Sequence, residues 1–288
     1  MDPIVYLNGE YLPLAEARIP VLDRGFIFGD GVYEVIPAYG RRLFRLREHL
    51  ARLEHSLRAV RIASPFDAAG WTALLESVVA RNAWDDQSVY LQVTRGVAPR
   101  TQEFPKGDVR PTVFVMASAL KMPTPEQRAN GVAVVTRDDY RWRRCDIKSV
   151  SLLANCLLRQ EAEDAGAAET VLVRDGNVKE ASTCNVFLVK DGVILNPPKD
   201  NLILHGITFD LALELARAAG IPVATREVRR EELYAADEVW LSSSAREVLP
   251  VTTVDGRRVG SGRPGPLYAR MHALFQDYKA RARAQADG

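Results

Sequence analysis

The chain has 288 residues, 38 Lys and Arg against 37 Asp and Glu, and a formal net charge of +1. That balance creates no global field for a nucleic acid, a membrane surface or a polyanion, so the expected partner is a small molecule. The length suffices for one large or two medium domains with full cores and an enclosed site.

No apolar run approaches the roughly 18 residues of a spanning helix, and Met1-Asp2-Pro3 lacks the basic and apolar regions of a signal peptide. The expected location is therefore cytoplasmic. Three cysteines without CxxC spacing read as reduced thiols, and four scattered histidines give no metal-ligand spacing, so no protein-held metal is expected.

Asn8-Gly9 between two short apolar runs over residues 4–12 predicts an opening hairpin. Residues 23–35 follow, an aromatic-rich stretch punctuated by Gly25, Gly29 and Gly31, where the backbone needs positive φ or close approach. Tyr33 there fits a pocket wall and a bulged core strand equally well. Apolar positions 46, 50, 53, 57 and 60 predict an amphipathic helix with His49, Arg52 and His55 off or at the edge of its stripe, and Arg52 by itself reads as surface. A second helix spans 71–84. The alternating strand 88–95 ends at Gly96, and a proline-bounded loop then carries Arg100 and Gln102 on the same side if extended. Residues 112–118 read as a buried strand.

Between Ala119 and Gly131 the apolar pattern collapses around two prolines. This predicts an N-terminal domain over 1–118, a linker over 119–131 and a larger C-terminal domain over 132–288 that carries Lys148. Within the latter, 132–136 reads as a strand. An extended segment from about Tyr140 ends at Lys148, a helix capped by Ser149 or Ser151 runs to about Ala165 before Gly166, and two hairpins turn at Asp175-Gly176 and Asp191-Gly192. Glu180, between those hairpins, fits an inward carboxylate or a turn. Gly206-Ile207-Thr208 opens a helix to Ala219, where exposed N–H groups and a hydroxyl make an anion site unless Thr208 merely caps the helix. Strands are expected at 222–228, 238–241 and 248–254, with Ser242-Ser243-Ser244 adding hydroxyls, and a last helix begins near Pro266.

Of the seven lysines, six sit beside turn signals or near the chain end and read as solvated. Lys148 follows Ile147 and leads into Val150, Leu152, Leu153, Ala154 and Leu157, a run too apolar to be surface on both sides. A lysine held there loses hydration, which favours the neutral amine that condenses with a carbonyl. A snorkelling or ion-paired lysine at an element boundary is the competing reading. Together, Lys148, the anion site, Arg52, Glu180 and Arg100 are the parts that pyridoxal-phosphate chemistry needs.

From Val5 to about Phe275 the chain resembles the fold-type IV (class IV) pyridoxal-phosphate aminotransferases, and among them the bacterial D-amino acid aminotransferases. The resemblance rests on Asp23-Arg24-Gly25 with Phe28-Gly29-Asp30-Gly31-Val32-Tyr33-Glu34, Gln92-Val93-Thr94-Arg95-Gly96, Arg144-Cys145-Asp146-Ile147-Lys148-Ser149, Glu180-Ala181-Ser182 with Asn185-Val186-Phe187, and Gly206-Ile207-Thr208. It implies an α+β (mixed α/β) fold of two domains, each a sheet or barrel-like sheet with packed helices, and an active site between them and at a dimer interface. It further implies that Lys148 forms the imine with pyridoxal 5′-phosphate and shuttles the proton, and that Glu180 pairs with the pyridine nitrogen. Leu204 would pack on the ring, and Arg52, Ile207, Thr208, Ser243 and Ser244 would hold the phosphate. Tyr33, Arg100 and Gln102 would surround the substrate carboxylate, with Arg100 supplied by the partner of a homodimer.

The implied reaction moves an amino group between a D-amino acid such as D-alanine and a 2-oxo acid, 2-oxoglutarate or pyruvate. The rivals are branched-chain L-amino acid aminotransferase, R-selective amine transaminase, aminodeoxychorismate lyase, and a phosphate-ligand binding protein without catalysis. Two departures stand out: Gln102 replaces a histidine usual in that family, and Phe209 replaces an arginine usual after Gly-Ile-Thr.

Overall fold

A computed structural model describes residues 2–284, and the chain separates into two compact units. The first comprises Met1–Lys121 with Ile147–Leu152, and the second Met122–Asp146 with Leu153–Gly288.

The first unit contains β1 (Ile4–Leu7), β2 (Glu10–Pro13), α1 (Arg24–Phe28), β3 (Gly31–Tyr39), β4 (Arg42–Leu43), α2 (Leu46–Ala59), α3 (Ala68–Arg81), β5 (Gln87–Thr94) and β6 (Thr112–Ala119). Its strands form an antiparallel sheet in the order β2-β1-β6-β5-β3-β4. The two-residue period of β3 puts Val32, Glu34, Ile36 and Ala38 on one buried face. The helix α2 packs on β3 through His49, Leu53, Ser56 and Leu57, the spacing of one helical face. The expected opening hairpin is present as β1 and β2. Residues 24–28, read as part of a loop, form a helical turn instead, because the Asp23 carboxylate accepts from the Gly25 N–H and caps it.

The second unit contains α4 (Pro125–Asn130), β7 (Val132–Asp138), α5 (Leu153–Asp164), β8 (Glu169–Arg174), β9 (Asn177–Ala181), β10 (Asn185–Lys190), β11 (Val193–Asn196), α6 (Ile207–Ala218), β12 (Val223–Thr225), β13 (Val228–Arg229), α7 (Arg230–Ala235), β14 (Glu238–Ser243), β15 (Glu247–Val254), β16 (Arg257–Arg258) and α8 (Pro266–Ala284). A mixed sheet runs β12-β11-β10-β14-β15-β7-β8-β9-β13, with β16 beside β15. It is parallel at β11/β12, β15/β7 and β7/β8. The stretch read as a linker holds α4, since Thr124 and Gln127 close a reciprocal capping box around Pro125. The strand expected over 222–228 is split between β12, paired to β11, and β13, paired to β9.

Lys148 falls in the first unit rather than with the C-terminal sheet, and backbone pairing explains this. Tyr33 N donates to Lys148 O at 2.9 Å, Val150 N donates to Gly31 O at 3.0 Å, and Val32 and Ser149 form an antiparallel bridge. The apolar run after Lys148 is not an enclosing wall within the chain, for Leu153 is 75% and Leu157 53% exposed. The buried neighbours of this half-buried lysine in sequence are Ile147 and Ser149. Lys179, read as solvated, is the more deeply buried lysine and is paired through Nζ to both carboxylate oxygens of Glu227 at 3.1 Å.

Candidate active site

In the first unit, β3 and α2 surround the backbone of Lys148. Ser56 Oγ accepts from Lys148 N at 3.2 Å, and Lys148 Nζ stands 4.2 Å from the centroid of the Tyr33 ring. Tyr33 stacks on Tyr90, ring centroids 5.7 Å apart, and alternates out of the face that Glu34 shares. It is thus half-buried rather than a core tyrosine.

Glu34 is fully buried and was not singled out by the sequence reading. Arg52 grips it with Nε on Oε1 and Nη2 on Oε2, both at 2.8 Å, and His49 Nδ1 lies 2.8 Å from Oε2, donating to the carboxylate. Arg52 is only 9% exposed in its side chain, which corrects its reading as surface. Burial raises the Glu34 pKa, but the charge and fork of Arg52 together with His49 hold it well below the usual carboxylate range. Burial in turn keeps His49 neutral to lower pH than a free histidine. The missed signal was local: a charged residue on the apolar phase of a strand needs a buried partner.

Arg100 and Gln102 lie exposed on the loop after β5, and the Arg100 guanidinium stands 5.5 Å from the Phe28 ring centroid.

In the second unit Glu180 is buried on β9. Val171 pairs with Ala181 and Val173 with Val178, so β9 carries an extra residue at Lys179–Glu180 and the bulge re-aims both side chains. Glu180 Oε1 accepts from Arg141 Nη1 at 2.6 Å, while Oε2 accepts from Leu204 N at 3.0 Å and Asn185 Nδ2 at 3.2 Å. Asn185 Nδ2 also donates to Leu204 O at 2.8 Å, fixing the backbone of Leu204 on both sides. Arg141 is itself held by Asp139, which pairs with Arg174 as well. Burial pushes the Glu180 carboxyl up to about 7 against the opposing charge of Arg141. No periodicity in the sequence marked Arg141, one of several arginines in a polar stretch.

The N-terminus of α6 carries no side-chain cap, and Gly206 precedes it in extended conformation. A Cβ on Gly206 would lie 2.0 Å from Asn185 Oδ1, so only glycine brings this backbone so close. The first N–H groups of a helix have no intrahelical partner, and here they include those of Ile207 and Thr208. Ser243 ends β14 and accepts from Arg246 N at 3.2 Å, Ser244 lies in the following turn, and the buried Ser242 Oγ has no protein partner. An uncapped helix end with adjacent hydroxyls suits a phosphate, and a buried carboxylate suits a protonated ring nitrogen, so the residues fit pyridoxal phosphate. Phe209 is 1% exposed and stacks on Phe187 with centroids 4.7 Å apart. Among the described residues no cluster of His, Cys, Asp and Glu is arranged to hold a metal ion, and no helix is long and apolar enough to cross a membrane.

These features match a known class of enzyme. The family described as amino-transferase class IV matches residues 31–254, and the chain belongs to it. It is a pyridoxal-phosphate-dependent aminotransferase. A D-alanine aminotransferase of Bacillus licheniformis is 42% identical over 273 residues, which is 95% of this chain and 96% of that relative. The branched-chain amino acid aminotransferase of Escherichia coli superposes with a TM-score of 0.87 at 28% identity, covering 96% of this chain and 94% of the other. That of the archaeon Thermoproteus uzoniensis, solved with norvaline, superposes with a TM-score of 0.84 at 27% identity, covering 99% and 96%.

Proposed function

We propose that this enzyme exchanges the amino group between a D-amino acid, D-alanine among them, and a 2-oxo acid such as 2-oxoglutarate or pyruvate. The observation that carries this reading is the 42% identity, across nearly the whole of both chains, to a relative named for D-alanine. Likeness to the branched-chain enzymes is lower in sequence and speaks for the shared fold.

In this reading the cofactor is pyridoxal phosphate and Lys148 is its imine-forming residue. Bound there, the cofactor supplies an electron-withdrawing ring that makes the substrate α-hydrogen acidic. Lys148 Nζ would take the proton from the substrate α-carbon, hold it as an ammonium that faces the Tyr33 ring from 4.2 Å, and give it up on the cofactor side rather than to the carbon it came from. Glu180, kept in place by Arg141, Asn185 and Leu204 N, holds the proton on the ring nitrogen. Ile207 N, Thr208, Ser243, Ser244 and Arg52 hold the phosphate, the last aimed by its bidentate bond to Glu34. Leu204 packs on the ring. Tyr33, Arg100 and Gln102 receive the substrate carboxylate.

The working form is a cytoplasmic homodimer in which Arg100 serves the partner's site. Val21 at 73% and Phe26 at 69% exposure are apolar surface that a second copy would cover. The deciding assay offers D-alanine or L-alanine with 2-oxoglutarate. Turnover confined to the D-isomer is expected, and preference for L-amino acids would transfer the enzyme to the branched-chain reading.

A further inference from the structure

The loop carrying Arg100 and Gln102 has no helix of its own, and α1 holds it at several points. At its start, Arg24 N donates to Gly96 O at 2.9 Å, and Asp23 and Val97 form an antiparallel bridge. In its middle, the Arg24 side chain, 3% exposed, donates from Nη1 to Thr101 O at 2.7 Å and to Glu103 O at 3.4 Å, and from Nη2 to Gln102 O at 3.4 Å. These are the carbonyls that directly follow Arg100. The Nε of Arg24 donates to Asp30 Oδ2 at 2.8 Å, a carboxylate also gripped by Arg95 from Nε at 2.7 Å and Nη2 at 3.0 Å. Arg95 stacks on Phe104 at 3.7 Å from the ring centroid, and Phe28 meets both Arg24 at 4.7 Å and Arg100 at 5.5 Å.

A fork that satisfies three successive loop carbonyls while its own charge is neutralised behind it is a clamp on backbone conformation. We infer that Arg24 is a positioning residue for substrate selection: its guanidinium fixes the 100–104 backbone and so sets where Arg100 is presented to a substrate carboxylate. This rests on the reading of Arg100 as the carboxylate partner. Lysine at position 24 keeps the charge that Asp30 needs but has no planar fork to span Thr101, Gln102 and Glu103.

The experiment compares the wild-type holoenzyme with Arg24→Lys, Arg100→Ala and the double variant, using D-alanine and the carboxylate-free (R)-1-phenylethylamine, and follows amide hydrogen exchange over residues 98–104. Arg24→Lys is expected to raise the D-alanine KM about fivefold with kcat within about twofold, because only ground-state and transition-state binding of the carboxylate weaken together. It is expected to leave the amine's single-turnover rate unchanged and to speed exchange in the loop. In the Arg100→Ala background the same change should add less than about 1.5-fold, since residues acting through one contact are not additive. Unchanged loop exchange, an equal loss on both substrates, or multiplying effects in the double variant would overturn the inference. If Arg100→Ala leaves the D-alanine KM at its wild-type value, the reading of Arg100 falls and takes the inference with it, while loop exchange in Arg24→Lys reports on the clamp separately. Should Arg24→Lys not fold, Phe28→Leu removes the face beneath Arg100 without touching Asp30, and the same pattern of KM, amine rate and non-additivity is expected of it.

Discussion

Arg141 donates from Nη1 to Glu180 Oε1 at 2.6 Å, and the two side chains are buried together. Of the forces on Glu180, burial raises its pKa most and Arg141 opposes it most, leaving the carboxyl at about 7. Arg141→Met removes the opposing charge, so the anionic form of Glu180, which the proposed function sets against the ring nitrogen, requires higher pH. The rising limb of the single-turnover rate with D-alanine should move up by about one unit or more, with roughly a tenfold loss at pH 7. A limb at its wild-type position would mean that Arg141 does not tune Glu180. Glu180→Gln should slow the same step at every pH while cofactor remains bound.

Lys148 is tied through its backbone N–H to Ser56 and through its carbonyl to Tyr33, so truncating its side chain leaves these anchors intact. Lys148→Ala should retain weak cofactor binding, visible as a protein-bound chromophore, and lose transamination by about a thousandfold or more. A variant keeping a tenth of wild-type turnover removes Lys148 from the chemistry.

Glu34 carries a different pH signature. Its folded-state pKa is depressed by Arg52 and His49, so it contributes stability above the ordinary carboxylate range that is lost as pH falls. His49, kept neutral by burial, acts in the same direction below its usual pKa of 6.5. Glu180 acts oppositely in the cofactor-free protein, costing stability as pH rises from 4.5 towards about 7. Glu34→Gln should therefore lower unfolding stability at pH 7 by about 3 kcal/mol, leaving Arg52 without a counter-charge, and should weaken cofactor affinity. Urea unfolding at pH 7 and pH 4 tests this: the gap between wild type and variant should narrow at the lower pH.

The loop that carries Arg100 and Gln102 offers a gain-of-function test. Arg100→Ala should raise the D-alanine KM by about one to two decades, the value of a charge-assisted carboxylate contact in a partly enclosed site. Gln102→His should lower it, increasingly as pH falls through about 6.5, where histidine becomes a cation. A pH-independent response to Gln102→His would show that residue 102 does not meet the carboxylate.

Much of this was legible one residue at a time. Asn8-Gly9, Asp175-Gly176 and Asp191-Gly192 fix hairpins because turns that need positive φ accept few residue types, and all six of these residues adopt it. Gly206-Ile207-Thr208 announced an open helix end, and α6 begins there without a side-chain cap. Lys148, Glu180 and Arg100 were proposed from motif and resemblance, and of the three the fold buries only Glu180, leaving Lys148 half-buried and Arg100 exposed.

What the sequence by itself determined were the elements set by short-range rules: turns, helix ends, and the alternation that makes β3, β5 and β6 strands. Tertiary structure alone decided which charges meet. The Glu34–Arg52 pair spans 18 residues and Arg141–Glu180 spans 39, and the Arg24–Thr101 bond spans 77. It also decided that Lys148 pairs with the backbone of β3, far from it in sequence, and that a bulge in β9 buries both Lys179 and Glu180. The physical reason is that a buried charge is tolerated only beside its partner, and strand pairing rather than sequence distance determines which residues become neighbours.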